Sequence, residues 1–301
     1  MKNKLAPIVL FTYNRLSHVQ ALMESLLHNA EARESDLFVF SDGGKDDRDA
    51  LKVLDVRQYL HSLSGFKSVS IEEAPVNKGL ANSVIYGVSK VLEAYDRVIV
   101  LEDDLILSPY FLQYMNDAIE KYAEEEKVGC VNGHMPRLKN ITEDTYFIYH
   151  ADSWGWGTWR RAWQLFEPDG KKLLQQLEEK QLCDCFDFEG AYPFVRMLKK
   201  QIAGQNSSWA IRWRASLLLN NKLSVNTGKS LVYNNGADGT GTHVGKGVLF
   251  PDGDLADKPI HVVKSEPVES ITARRAYRRY YRWNNSKLHK GLILLHNMLM
   301  Q

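Results

Sequence analysis

The sequence predicts an α/β protein, a mostly parallel sheet with helices on both faces. Two observations predict this class. Short runs of almost purely apolar residues recur through the first hundred positions, and stretches with apolar residues at helical spacing separate them. A third observation bears on function. The runs end on polar residues, and in such sheets ligands sit beyond the carboxyl ends of the strands.

The elements follow in order. Ile8-Val9-Leu10-Phe11 reads as the first strand and residues 18–28 as an amphipathic helix. Leu37-Phe38-Val39-Phe40 is a second strand, ending at Ser41-Asp42-Gly43-Gly44, with a helix expected over residues 49–60. Val69-Ser70-Ile71 is a third strand. Residues 77–95 carry Leu80, Val84, Val88, Val91 and Leu92 at helical spacing. Val98-Ile99-Val100-Leu101 is the most strand-like run and closes on Glu102-Asp103-Asp104. Ser108-Pro109 reads as the cap and first residue of a helix over residues 110–122.

Beyond about residue 135 the pattern changes. Tryptophan and glycine cluster at Ser153-Trp154-Gly155-Trp156-Gly157-Thr158-Trp159, expected as a loop. Helices are expected over residues 171–179 and 208–220, then a glycine-rich segment over 235–247. The expected organisation is a ligand-binding half over residues 1–135, an elaborating half of the same domain over 136–265, and a basic amphipathic helical tail over 266–301. In that tail Arg274, Arg275, Arg278, Arg279 and Arg282 alternate with aromatics, followed by Leu288, Leu292, Leu295 and Leu299 at helical spacing. Such a tail suits an anionic membrane surface or a docked helix.

Composition narrows the function classes. The 301 residues are 44% hydrophobic and 25% charged, which excludes wholesale disorder. The net charge of +1 argues against a nucleic-acid partner, yet it is a cancellation. Residues 271–301 hold five Arg and two Lys with no acid, so that segment carries +7 and the rest −6. Cys130, Cys183 and Cys185 match no disulfide, zinc or CxxC spacing, which points to a reducing compartment. The first apolar run is short and contains Pro7, so it reads as a strand rather than a secretory leader, and no stretch reaches membrane-span length. The expected location is the cytoplasm, including the inner face of the cell membrane.

The acidic triplet is the sharpest local signal. Three carboxylates at the end of an apolar strand repel one another unless a cation sits there. Mg²⁺ or Mn²⁺ held by one or two carboxylates leaves room for phosphate oxygens. Strand alternation places Glu102 and Asp104 on one side and Asp103 on the other. A solvated loop start is the plain alternative.

The stretch from Val98 to Pro109 resembles the metal-binding segment of GT-A fold glycosyltransferases, in particular bacterial family-2-like enzymes and the related N-acetylglucosaminyltransferase I group. Five further segments occur in the expected order: Ile8 to Arg15, Ser41-Asp42-Gly43, Asn77-Lys78-Gly79-Leu80-Ala81, Trp154 to Trp159, and Asp238-Gly239-Thr240-Gly241-Thr242-His243. The resemblance implies a Rossmann-like GT-A sheet with an acceptor-binding second half and a helical C-terminal tail. It implies transfer of a sugar from a nucleotide-diphosphate donor, a UDP-sugar by analogy, to a saccharide or lipid-linked acceptor, with inversion and with Mn²⁺ or Mg²⁺. Carried over by position, Asp104 is the metal ligand, with His243 a second. Asp103 faces the ribose and Glu102 the donor-sugar hydroxyls. Asp42 contacts the base, while Thr12, Asn14, Arg15 and Lys78 line the nucleotide.

One position departs from the resemblance. In the N-acetylglucosaminyltransferase I group an aspartate directly after a tryptophan is the base, and here Trp209 is followed by Ala210, which accepts no proton. Asp152, Asp187, Glu189 and Asp238 are substitutes, with Asp152 preferred because it precedes the tryptophan-glycine segment. Two other readings stand beside the transferase. One is a degenerate, non-catalytic carbohydrate-binding or assembly protein, favoured by Ala210. The other is a nucleotidyltransferase, disfavoured because Thr12-Tyr13-Asn14-Arg15 is not glycine-rich.

Overall fold

The computed structural model describes residues 5–236 and 255–286. His243, Asp238 and the leucine stripe from Leu288 to Leu299 lie outside them. The first strands form a parallel set. β1 (Ile8–Thr12), β2 (Asp36–Ser41), β3 (Ser68–Glu73) and β4 (Arg97–Glu102) pair in the order β3-β2-β1-β4. Of these, β1, β2 and β4 are mainly apolar runs buried in the sheet, while β3, with the sequence SVSIEE, is the half-exposed edge. The crossovers are α1 (Leu16–Leu27), α2 (Asp47–His61) and α3 (Leu80–Ala94). α2 is capped by the Asp46 carboxylate, which accepts from Asp49 N at 2.8 Å, with Asp47 and Asp49 in its positive first turn.

This strand order creates the crevice that matters. The chain runs outward from β1 to β3 and then returns to the other side of β1 to form β4. Connections leave the β1–β4 boundary in opposite directions there, which opens a cleft at the carboxyl ends. The register sets Phe11 beside Glu102 and Thr12 beside Ser41, so the polar strand ends converge.

The second half extends the same sheet. After β5 (Leu105–Leu107) and α4 (Phe111–Lys121) come β6 (Val128–Asn132), β7 (Thr145–Ile148) and β8 (Trp156–Trp159). Then follow α5 (Arg160–Trp163), α6 (Gly170–Glu179), α7 (Cys183–Phe186), α8 (Phe194–Ile202) and α9 (Trp209–Leu219). β9 (Leu223–Thr227), β10 (Val232–Asn234) and α10 (Ile271–Asn285) complete the described chain. β8 runs antiparallel between β4 and β6, β9 lies parallel to β6, and β7 closes the edge, giving eight strands in one sheet. β5 and β10 form a separate antiparallel pair.

Two local expectations change. The tryptophan-glycine segment is not a loop throughout: residues 156–159 are a buried central strand. Gly157 lets the strand pack closely there, since a Cβ would lie 2.9 Å from the tips of the Ile119 and Met115 side chains on α4 and 3.0 Å from the Val98 carbonyl oxygen. The helix after Ser108-Pro109 starts at Phe111; the Ser108 oxygen accepts from Tyr110 N at 3.3 Å while its hydroxyl donates to the Ala256 carbonyl at 2.6 Å and ties the later chain to this corner.

Trp156 anchors the join between the halves. It is fully buried and packs on Trp209 (5.1 Å between ring centroids), Trp163 (5.8 Å) and Trp213 (6.1 Å). α9 is buried along almost its whole length, and its two buried arginines donate to carbonyls, Arg212 to Pro168 O and Arg214 to Phe186 O, both at 3.1 Å. Trp156→Ala is expected to cost about 3–5 kcal/mol, read as a lower urea midpoint with an unchanged slope.

Candidate functional site

The site grows from the β1 and β4 ends. The strand stops at Glu102, and a turn at Asp103-Asp104 replaces the alternation expected of a continued strand. Both aspartates therefore reach one cation. Arg15, in the loop after β1, ion-pairs through Nη2 with Asp103 Oδ1 and with Asp104 Oδ2, the latter at 3.0 Å. Tyr13 N also donates to Asp103 Oδ2 at 3.3 Å. Burial pushes the Asp103 carboxyl up, and the Arg15 charge opposes that shift. Glu102, half-buried, is pushed up to about 8 by burial and then by the Asp104 and Asp103 charges, against the Trp209 indole N–H and Arg15.

Asp104 is less deeply buried than Asp103, with side-chain exposures of 15% and 6%. Its Oδ1 accepts from Asn234 Nδ2 at 3.3 Å and its carbonyl from Asn235 N at 2.7 Å. The β5–β10 pairing brings Gly236 so close that a Cβ there would lie 2.5 Å from Asp104 Oδ2. Nothing in the sequence pattern singles out Asn234, because its role depends on a pairing between segments 130 residues apart.

The remaining nucleotide-loop residues divide. Thr12 Oγ1 is buried at the crevice with no hydrogen-bond partner among the described residues. Asn14 and Tyr13 instead bind α2, donating to Asp49 at 3.0 and 2.5 Å. Asp42 is saturated by its own chain, accepting from Gly43 N, Asn77 Nδ2, Lys78 N and Gly79 N at 2.8–3.0 Å. Its carboxylate thereby pins residues 77–79 beneath α3, and Gly79 takes a φ of +77 in that turn. Asn77 is thus a tether rather than a helix cap, and α3 begins at Leu80. Lys78 Nζ lies 4.6 Å from the Tyr86 ring, with Phe40, Ser41, Asp42 and Glu72 lining the adjoining cleft. Arg57, which the sequence did not mark, holds this corner by donating to the Ser41, Asp42 and Ala74 carbonyls at 3.4, 3.3 and 2.7 Å.

A profile of the GNT-I family matches residues 1–173, more than half of the chain. The chain belongs to the GNT-I family. With that membership its α/β sheet is a GT-A glycosyltransferase fold, and the matched stretch includes Arg15, the acidic triplet and Asp152. Among solved structures, a mannosyltransferase from Pyrobaculum calidifontis in complex with GDP-Man and Mn²⁺ aligns at 12% identity and a TM-score of 0.36. The alignment covers 58% of this chain and 47% of that enzyme, so it spans less than half of its length. No curated protein sequence matches. No helix among the described residues of this GNT-I family chain is long and apolar enough to cross a membrane.

The base candidates are placed as follows. Asp187 caps α8 by accepting from Val195 N at 2.7 Å, and Glu189 pairs with Arg274 and Arg278 of α10. Asp152 receives His134 Nδ1–H on Oδ2 at 2.7 Å and the Ser153 and Trp154 amides on Oδ1 at 2.7 and 3.3 Å. Burial alone would raise its carboxyl, but the His134 charge and these bonds hold it at about 2. A carboxyl lowered on folding contributes stability above its unfolded value and loses it as pH falls through the folded one. The wild type is therefore expected to lose about 2 kcal/mol between roughly pH 4 and pH 2 that Asp152→Asn does not lose. Urea midpoints across that range measure the difference.

Proposed function

We propose that this chain transfers a sugar from a nucleoside-diphosphate donor, taken here as a UDP-sugar, to a hydroxyl of a saccharide or lipid-linked acceptor, with inversion at the anomeric carbon. The observation that carries the reading is the Arg15–Asp103–Asp104 cluster at the β1–β4 crevice of a GNT-I family sheet. In this reading residues 1–135 bind the donor, 136–265 the acceptor, and 266–301 form the tail.

Divalent-cation use fits the residues, although no group of three His, Cys, Asp or Glu converges on a metal position among the described residues. A hard cation in such a site takes one protein carboxylate and completes its shell with diphosphate oxygens and water. Asp104 offers that hard oxygen, and Gly236 keeps the space beside it clear of a side chain. When bound, Mn²⁺ or Mg²⁺ would neutralise charge developing on the leaving diphosphate.

The chain's own residues do the rest. Arg15 holds the two aspartates together and presents a guanidinium at the diphosphate end of the crevice. Asp103 accepts from the ribose and Glu102 from the donor-sugar hydroxyls. The Asp42 tether with Lys78 shapes the cleft for the base. Ala210 after Trp209 favours a second reading, a degenerate carbohydrate-binding or assembly protein without turnover. Calorimetry with UDP-N-acetylglucosamine and UDP, with and without Mn²⁺, tests the first step. Metal-enhanced binding should weaken at least about tenfold in Asp104→Ala, and binding of free sugar without nucleotide would sink the transferase reading.

The proposed setting is the cytoplasmic face of a membrane, where a lipid-linked acceptor is presented. α10 docks on the body through Ala273, Ala276 and Tyr277, while Arg274 and Arg278 pair with acids. Its outward face carries Ile271, Arg275, Arg279, Arg282 and a half-exposed Trp283, a basic stripe with apolar ends. Each surface arginine adds about 1 kcal/mol toward anionic lipid. Sedimentation with vesicles containing phosphatidylglycerol should exceed that with phosphatidylcholine alone, and the Arg275→Glu, Arg279→Glu, Arg282→Glu triple variant should erase the difference. Equal binding to both vesicles would rule the membrane contact out.

A further inference from the structure

Two neighbouring aspartates turned toward one point require a cation there, and in this chain that cation is one of its own side chains. We propose that Arg15 is a resident counter-ion in the position a divalent cation needs, and that it gives up Asp104 only when a diphosphate arrives to take its guanidinium. The inference deepens the transferase reading above and rests on it.

The contacts of Arg15 suit such an exchange. A single nitrogen, Nη2, serves both carboxylates, Asp103 Oδ1 and, at 3.0 Å, Asp104 Oδ2. That grip is weaker than the fork in which two guanidinium nitrogens meet the two oxygens of one carboxylate. The other terminal nitrogen, Nη1, is buried with no hydrogen-bond partner among the described residues. Thr12 Oγ1, at the end of β1, is in the same condition. A buried donor left unmet is costly, and phosphate oxygens are the acceptors a guanidinium matches best. Half of this guanidinium therefore compensates the aspartates, and half is unused until an anion comes.

Asp104 is arranged to release it. Asn234 Nδ2 holds the other oxygen, Oδ1, at 3.3 Å, so the carboxylate keeps its orientation when Arg15 leaves Oδ2. Gly236 brings no side chain to Oδ2, where a Cβ would lie at 2.5 Å. Asp103 is deeper and keeps Arg15 on Oδ1 while Tyr13 N donates to Oδ2 at 3.3 Å. The backbone is fixed as well. The Arg15 carbonyl accepts from His18 N and Val19 N at 3.2 and 3.1 Å where α1 starts, and Asn14 is tied to Asp49 at 3.0 Å. Only the guanidinium has to turn, with Asp103 as its pivot.

Charge decides the order of events. Arginine does not shed its proton in proteins, so this counter-ion is permanent. Two carboxylates against one guanidinium leave a single negative charge, and a dication added there would face the guanidinium across the same oxygen. Those like charges repel at contact distance, in a half-buried crevice where water and salt screen poorly. A nucleoside diphosphate relieves the conflict twice over. Its oxygens accept from the freed guanidinium, and they complete the oxygen shell that a hard cation requires. Arg15 thus makes metal entry conditional on the diphosphate, and after the diphosphate leaves it compensates the aspartates again.

Calorimetry and the electron paramagnetic resonance signal of free Mn²⁺ test this without turnover. In wild type, Mn²⁺ alone should bind at least about tenfold more weakly than it does with saturating UDP. Arg15→Gln removes the charge but keeps a hydrogen-bond donor. Mn²⁺ alone should bind it at least about tenfold more tightly than wild type, while UDP alone binds it more weakly. Arg15→Lys keeps the charge and should stay within about threefold of wild type for Mn²⁺. Thermal melts make even a destabilised variant informative. Aspartates without their cation should lower the melting temperature of Arg15→Gln, and Mn²⁺ should raise it again in that variant but not in wild type. Adding Asp104→Asn to Arg15→Gln should abolish both gains. A gain below about tenfold in Arg15→Gln, one above about threefold in Arg15→Lys, a gain that survives Asp104→Asn, or an Arg15→Gln melting temperature that Mn²⁺ does not raise would each overturn the proposal. Wild type that binds Mn²⁺ equally well with and without UDP would overturn it too. Wild type that binds no UDP, with or without Mn²⁺, would instead overturn the transferase reading.

Discussion

Three consecutive carboxylates at the end of a buried strand demand a cation, and the strand order of this sheet dictates where it comes from. Because β4 returns to the free side of β1, the loop after β1 is the nearest backbone to the triplet, and its Arg15 bridges Asp103 and Asp104. Ending β4 at Glu102 and turning immediately lets two neighbouring aspartates face one guanidinium, which a continued strand forbids. Glu102 is raised chiefly by burial and then by repulsion from Asp104 and Asp103, with the Trp209 indole N–H and Arg15 opposing the shift. Any divalent cation or diphosphate entering the crevice enters this balance.

The neighbouring strand end is stiffened by different means. Asp42 satisfies three donors from the turn before α3 and the amide of Gly43, and Arg57 reaches across from α2 to three carbonyls. Buried strand ends with unpaired groups are costly, so these two side chains hold a shaped cleft rather than an open edge. The Asp42 carboxylate is therefore more committed to its own loop than the resemblance implies.

The second half is tied to the first through tryptophan. β8 inserts antiparallel between β4 and β6, and its Trp156 stacks under α9 on Trp209, whose indole faces Glu102. A single aromatic layer thus links the acidic triplet to the helix carrying Ala210. The segment just before β8 supplies Asp152 and Trp154, and β6 leads into His134.

The sequence by itself determined the parallel first half, because apolar runs and helical periodicity are local patterns that need no partner to be read. It also determined the acidic strand end, a charge cluster too costly to be accidental in an apolar context, and family membership bears out the GT-A fold and the glycosyltransferase class. Tertiary structure alone decided that Trp156 to Trp159 is a central strand, since four residues with two bulky indoles give no clear period. It alone joined Asn234 to Asp104 and His134 to Asp152, pairs 130 and 18 residues apart that strand register brings together. Periodicity reports which face of an element is buried; which residues meet across elements depends on sheet order, and that is settled only when the strands pair.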